Sequence, residues 1–169
     1  SDFPAEWNDL QDALDNLTLL KSEILTPGGN KSPIAKGING FFASRGWIEK
    51  DFNVVIEVDD NRWPAPTHGI DYFKNRVGIE VEWNNKDPFF DRDLNNFRLL
   101  HQIGMLSVGG VITRLWEFEK ELRALGKGAS YGRSTTHWEK LIPKVNGGGA
   151  GGCPILLIGM GYSCYDPNR

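Results

Sequence analysis

Residues 67–83 read Thr67-His68-Gly69-Ile70-Asp71-Tyr72-Phe73-Lys74-Asn75-Arg76-Val77-Gly78-Ile79-Glu80-Val81-Glu82-Trp83. Two runs rich in aromatic and β-branched residues flank Asn75-Arg76. The pattern predicts a hairpin over 67–84 with those two residues as its turn. Lys74 then faces Val77, and Asp71 faces Glu80. Side chains alternate along a strand, so Glu82 points to the same side as Glu80. Directly opposed side chains lie about 5 Å apart at Cβ, and like charges there are destabilising. Strands are also depleted in Asp and Glu. Three acids on one face of one hairpin therefore point to a divalent cation that neutralises them. Hard cations such as Mg²⁺ take carboxylate and carbonyl oxygens plus water. A D-x8-E-x-E metal site on a sheet suits phosphodiester hydrolysis. A solvated strand face with three unrelated acids is the competing explanation.

Working outward, residues 6–26 predict one helix, with Leu10, Leu14, Leu17, Leu20 and Ile24 at three- and four-residue steps. Pro27-Gly28-Gly29 is its stop. Ser32 is a cap for a second helix, with Pro33 in its first position. That helix carries Ile34, Ile38, Phe41 and Phe42 and closes at Gly46. Residues 52–58 predict a strand and 59–66 a polar loop. Past the hairpin, 95–103 predict a helix, with Asp91-Arg92-Asp93 supplying charge at its start. A strand at 108–113 and a helix at 116–125, ended by Gly126, follow. Residues 127–133 form a Gly/Ser loop, and Thr136-His137-Trp138-Glu139 fits a capping box before a short helix. A Gly-rich connector at 146–152 leads to a buried strand at 154–160. The order α-α-β-β-β-α-β-α-α-β is that of an α/β domain on a mixed sheet. The 169 residues are expected to form a single domain with a sizeable core.

Composition is ordinary for a soluble globular protein, 40% hydrophobic and 24% charged. A net charge of −3 does not advertise nucleic-acid binding, but a groove can be basic on an acidic protein. Cys153 and Cys164 flank a strand without zinc spacing and read as reduced thiols in the cytoplasm. No apolar run is long enough to span a membrane, and no secretory signal is apparent. His68, His101 and His137 lack partner spacing for zinc. His68, three residues before Asp71, is expected to point away from the carboxylate face. Gly147–Gly152 lacks the G-x4-G-K-[ST] order of a nucleotide-phosphate loop.

Two further segments have chemistry suited to DNA. Asn84, Asn85 and Lys86 put two amides and an ammonium just past the acids. Asn can pair with adenine, and Lys can read guanine or hold a phosphate. Lys127, Arg133, Ser134, Thr135 and Thr136 combine cations and hydroxyls near a helix N-terminus, which suits phosphate oxygens. Both compositions equally describe ordinary polar loops.

Asp71-x8-Glu80-x-Glu82 resembles the active-site pattern of the PD-(D/E)XK nucleases. More narrowly, Lys31–Lys36, the Phe73–Val77 turn and the run from Glu80 to Arg98 resemble the BglII/BstYI family of type II restriction endonucleases. The likeness continues through Ser134–His137 and Gly151–Ile155 and covers nearly the whole chain from about residue 28 onward. It implies a restriction-endonuclease-like core and a single endonuclease domain over residues 1–169. It also implies a homodimer that hydrolyses double-stranded DNA with Mg²⁺ at a short palindrome, centred on GATC in the better-known members. On this likeness Asp71, Glu80 and the Val81 carbonyl are metal ligands, and Glu82 stands where the superfamily's usual Lys does. Asn84, Asn85, Lys86, Lys127, Arg133, Ser134, Thr135 and Thr136 are the implied DNA contacts. Glu57 and Asn39 are candidates for a further upstream site residue. A repair or junction-cleaving nuclease on the same core, or a DNA-binding module with a vestigial metal site, are the alternatives.

Overall fold

The hairpin closes at the turn the spacing predicts. Asn75 and Arg76 both have positive φ, 45° and 69°, the signature of the two-residue turn whose twist matches the flanking strands. Lys74 pairs with Val77, Phe73 with Gly78 and Tyr72 with Ile79.

The computed structural model describes residues 2–26 and 33–169. In chain order these form α1 (Pro4–Asp15), β1 (Leu19–Leu20), α2 (Lys21–Leu25), α3 (Pro33–Ser44), β2 (Ile48–Lys50), β3 (Val55–Val58) and β4 (Asn61–Pro64). The hairpin strands β5 (Ile70–Lys74) and β6 (Val77–Glu82) follow, then α4 (Pro88–Gln102) and β7 (Val108–Arg114). A 3-10 turn at Trp116–Phe118 leads into α5 (Glu119–Ala124), and α6 (Trp138–Asn146), β8 (Ile155–Met160) and β9 (Tyr165–Asp166) complete the order. The main sheet has five strands in the order β2-β5-β6-β7-β8. The pairs β2–β5 and β5–β6 are antiparallel, while β6–β7 and β7–β8 are parallel. The parallel pairs need crossover connections, and α4 is the one between β6 and β7.

The sheet separates two apolar clusters. Ile79, Val81 and Trp83 join Leu10 of α1 and Ile34, Ile38 and Phe42 of α3. On the other face Ile70 and Val111 join Phe90, Leu94, Phe97 and Leu100 of α4 and Leu141 of α6. With Ile79, Val81 and Trp83 committed to the α3 side, the alternate residues Gly78, Glu80 and Glu82 face α4. Two glycines let α4 and its following loop close on the sheet. A Cβ on Gly78 would stand 2.9 Å from Leu106 Cδ1, and one on Gly109 would stand 2.7 Å from Phe97 Cδ2. No helix among the described residues is long and apolar enough to cross a membrane.

Several expectations need correction. The helix expected over 6–26 breaks after Asp15. The side chain of Asn16 donates to Asp12 O at 2.8 Å, and Leu19-Leu20 leaves the helix to pair with Tyr165-Asp166. The fully buried residue there is Leu19 rather than Leu20. The strand expected at 52–58 is shorter and forms a separate exposed hairpin with β4, inside the segment read as loop. The strand beside β5 at that edge of the main sheet is β2 instead. The helix expected at 95–103 begins at Pro88, so Asp91-Arg92-Asp93 lie inside it. The capping box does not form. His137 is the N-cap residue without a side-chain capping bond, and Glu139 accepts the Trp116 N–H at 3.1 and 3.2 Å. Pro27-Gly28-Gly29, Lys31 and Ser32 lie outside the described residues.

Candidate active site

The register that pairs Tyr72 with Ile79 would next oppose Asp71 and Glu80. Here side chains take over from the backbone ladder. The Asp71 N–H donates to Glu80 Oε2 at 3.4 Å, and the Val81 N–H donates to Asp71 Oδ2 at 3.2 Å. Each acid thus fastens the other's strand. Glu80 and Glu82 are both buried, and Asp71 is half-buried.

A fourth carboxylate arrives from α4. Asp93 is fully buried and receives Arg92 Nε and Nη2 on Oδ1 at 3.1 and 2.9 Å. Arg92 Nη2 also lies 4.0 Å from Glu82 Oε1. His68 does not point away from this cluster, as its parity with Asp71 implied. Its Nε2 is 3.1 Å from Asp93 Oδ1 and 3.8 Å from Glu80 Oε1. Strand alternation does not reach His68, which precedes β5 and its start at Ile70. Asn96 of α4 donates from Nδ2 to His68 O at 3.1 Å, tying the helix to this lead-in segment. Asp93 and His68 are the residues that reading the sequence missed. A signal for Asp93 exists: it lies three residues after Phe90 and four before Phe97, both buried on the inward stripe of α4.

The electrostatics follow from crowding acids in a dry place. Burial, then the charges of Asp93, Asp71 and Glu82, push the Glu80 carboxyl well above the ordinary carboxylate range. Burial, then Asp93, push Glu82 up to about 9, against the opposing hydrogen bond from Asn85 and charge of Arg92. Glu80 Oε1 and Asp93 Oδ2 are buried with no hydrogen-bond partner among the described residues. Uncompensated buried oxygens of this kind are costly. Carboxyl groups that repel one another when ionised and have spare lone pairs form the donor set that suits a hard divalent cation, so the residues present fit one.

The segments after β6 and before α6 run side by side. Lys86 and Thr135 form an isolated antiparallel bridge. The Thr136 N–H donates to Asn85 O at 2.9 Å, and the Asp87 N–H to Ser134 O at 3.3 Å. Asn85, Lys86, Arg133 and Ser134 are exposed on this strip, while Asn84 and Lys127 are half-buried. Arg133 stacks on Trp116 at 5.7 Å. Thr135 and Thr136 do not present hydroxyls to solvent as expected. Thr135 Oγ1 accepts from buried Arg114 at 2.7 Å and donates to Gly132 O at 2.8 Å. Thr136 Oγ1 accepts the Asn85 N–H at 3.1 Å and donates to Glu82 O at 3.2 Å. Thr136 fastens the loop to the end of β6, and Thr135 fastens it to Arg114 at the end of β7. Asn85 also turns inward, donating from Nδ2 to Glu82 Oε2 at 2.7 Å. Of the upstream candidates, Glu57 pairs with Arg62 at 3.3 Å on the exposed hairpin, and Asn39 belongs to α3, on the other face of the sheet.

A family model described as Restriction endonuclease BglII/BglIII matches residues 1–160 of the 169-residue chain. No individual curated protein matches it.

Proposed function

The chain belongs to the BglII/BglIII family of restriction endonucleases, and from that premise we propose that it is a type II enzyme cutting both strands of duplex DNA at a short, GATC-containing palindrome with Mg²⁺. Residues 1–169 act in this reading as one cytoplasmic endonuclease domain, paired with a second copy. The observation that carries it is the reciprocal fastening of Asp71 and Glu80 across the hairpin, with Glu82 buried on the same face and Glu80 Oε1 without a hydrogen-bond partner among the described residues.

Asp71, Glu80 and the Val81 carbonyl would hold the ion. When bound, the ion polarises the scissile phosphate and lowers the pKa of a coordinated water. Glu82 orients the attacking water and takes its proton. It carries a proton itself in the metal-free fold, being pushed up to about 9, and added positive charge nearby favours its ionised form. Asn85, bonded to Glu82 Oε2, links the exposed strip to this carboxylate. That strip supports DNA binding through Asn84, Asn85, Lys86, Lys127, Arg133 and Ser134, with Thr135 and Thr136 setting its position. A palindromic target calls for two-fold symmetry in the protein.

Asp71→Ala and Glu80→Ala are the tests. Each is expected to abolish cleavage while leaving binding to the cognate duplex intact or tighter, because removing a carboxylate removes repulsion of phosphate. Gel-shift titration and end-labelled cleavage assays read the two effects separately. Cutting near the wild-type rate by either variant would remove that residue from the site.

A further inference from the structure

Overlapping the three hairpin acids is a donor set of which the proposed reaction uses only Glu80. His68 precedes β5, Glu80 sits on β6 and Asp93 comes from the second turn of α4. His68 Nε2 is 3.1 Å from Asp93 Oδ1 and 3.8 Å from Glu80 Oε1, and one donor atom from each residue lies within 4.8 Å of the other two. Donors held roughly 2.0–2.2 Å from one small ion, a usual metal–nitrogen or metal–oxygen length, stand about 3–4 Å from each other. The three residues are therefore close to coordinating distance before any ion enters.

A second observation points to a ligand. Glu80 and Asp93 are 2% and 0% exposed, and Glu80 Oε1 and Asp93 Oδ2 have no hydrogen-bond partner among the described residues. Arg92 does not fill this need. Its two bonds both go to Asp93 Oδ1, the same oxygen that meets His68. Its guanidinium is partly exposed and stacked on Phe89 at 4.3 Å, at the rim of the cluster. One cation at the rim leaves the buried oxygens without a partner on the inside.

We propose that His68, Glu80 and Asp93 form a second cation site, adjacent to the one assigned above and sharing Glu80 with it, which takes a first-row transition dication in preference to Mg²⁺. The imidazole decides the preference. Mg²⁺ favours oxygen donors and releases water reluctantly, whereas a mixed nitrogen and oxygen set binds transition dications more tightly along the series from Mn²⁺ to Cu²⁺. The site joins the segment before β5 to α4, so its ion braces the helix against the hairpin. The proposal rests on the reading above only through Glu80. Asp71 belongs to the first site alone, and His68 and Asp93 to the second.

The test titrates the intact protein with Co²⁺ in the presence of excess Mg²⁺, following the visible absorbance of bound Co²⁺ and the stoichiometry by calorimetry. One Co²⁺ per chain is expected to bind despite the Mg²⁺. His68→Gln and Asp93→Asn are expected to lose it, and Asp71→Asn to keep it. Asp93 is fully buried, so circular dichroism checks that each variant folds. If Asp93→Asn does not fold, the near-isosteric His68→Gln decides the outcome. No Mg²⁺-resistant Co²⁺ in the wild type, or binding unaffected by His68→Gln, overturns the proposal. Binding lost in Asp71→Asn but kept in His68→Gln also overturns it, and leaves the first site standing. A His68-dependent Co²⁺ site in a protein that cuts no DNA upholds the second site and removes the nuclease reading instead.

Discussion

Glu82 carries a clear pH signature. Burial and Asp93 raise its carboxyl from 4.5 to about 9 in the metal-free fold, while the unfolded chain titrates near the ordinary value. A group raised in the folded state contributes its full stability below the unfolded pKa and loses it as pH climbs to the folded one. The metal-free protein should thus lose stability between about pH 4.5 and about pH 9. Glu82→Gln removes that proton exchange. Its melting temperature is expected to fall less steeply than wild type across this window, with the gap widest at the alkaline end. Differential scanning fluorimetry in chelator reads both curves, and parallel curves would show that Glu82 holds no proton in the fold. The convergence of Asp71, Glu80 and Glu82 is legible in the sequence because a two-residue turn and the strand period place all three by local spacing. Asp93 and His68 are not legible that way. They reach the cluster through the packing of α4 and through a segment outside any strand. Thr135 and Thr136 mislead for a related reason: composition marks them as polar but cannot tell which hydroxyls are spent inside.

Among elements, the hairpin is the most sharply determined and the most open to improvement. Arg76 holds φ at 69°, a region that costs a residue with a Cβ roughly 1–2 kcal/mol. Arg76→Gly keeps the turn type and relieves the strain, so it should stabilise the protein by about 1 kcal/mol after the added entropy of the unfolded chain is counted. Urea denaturation measures this, and a destabilised variant would mean that the arginine side chain does more than turn. Strand β8 and helix α3 are legible because each has a strong apolar pattern flanked by Gly and Pro, β7 by its apolar run, and β6 by the two-residue turn that starts it. The break after Asp15 is not, since Leu17, Leu20 and Ile24 continue a helical step through a segment that leaves to pair with Tyr165-Asp166. The run at 52–58 shows a different limit: β-branching marks a strand but says nothing about its partner, and this one joins β4 outside the main sheet. The start of α4 matters most for function. Proline at its first turn moves Asp93 from a flanking charge to the inward face.

At the scale of the molecule, the sheet supports two different surfaces at one end of β6. One is the buried acid cluster, and the other is the strip where residues 84–87 meet 134–136. On the proposed reading the first cuts and the second holds DNA, although the chain as a whole carries a charge of −3. Arg133 is exposed on the loop leading into that strip, and Lys127 begins the same loop. Arg133→Ala and Lys127→Ala should weaken cognate and scrambled duplexes alike. Each lost phosphate contact should flatten the slope of log affinity against log salt by about 0.9. Fluorescence anisotropy at several salt concentrations gives both numbers, and an unchanged slope would take that residue off the phosphate path. The family and the α/β architecture are legible from the chain's own motifs, but which sequence is read is not, because base contacts depend on where the strip meets a groove. The most direct test of the proposed activity digests a plasmid of known sequence with the protein and Mg²⁺ and maps every end. A type II enzyme with this site should give discrete fragments whose ends all fall at one short palindrome, cut symmetrically on both strands, and should leave the plasmid intact as the Asp71→Ala protein. Ends that share no palindrome, or cutting that persists in Asp71→Ala, would contradict it.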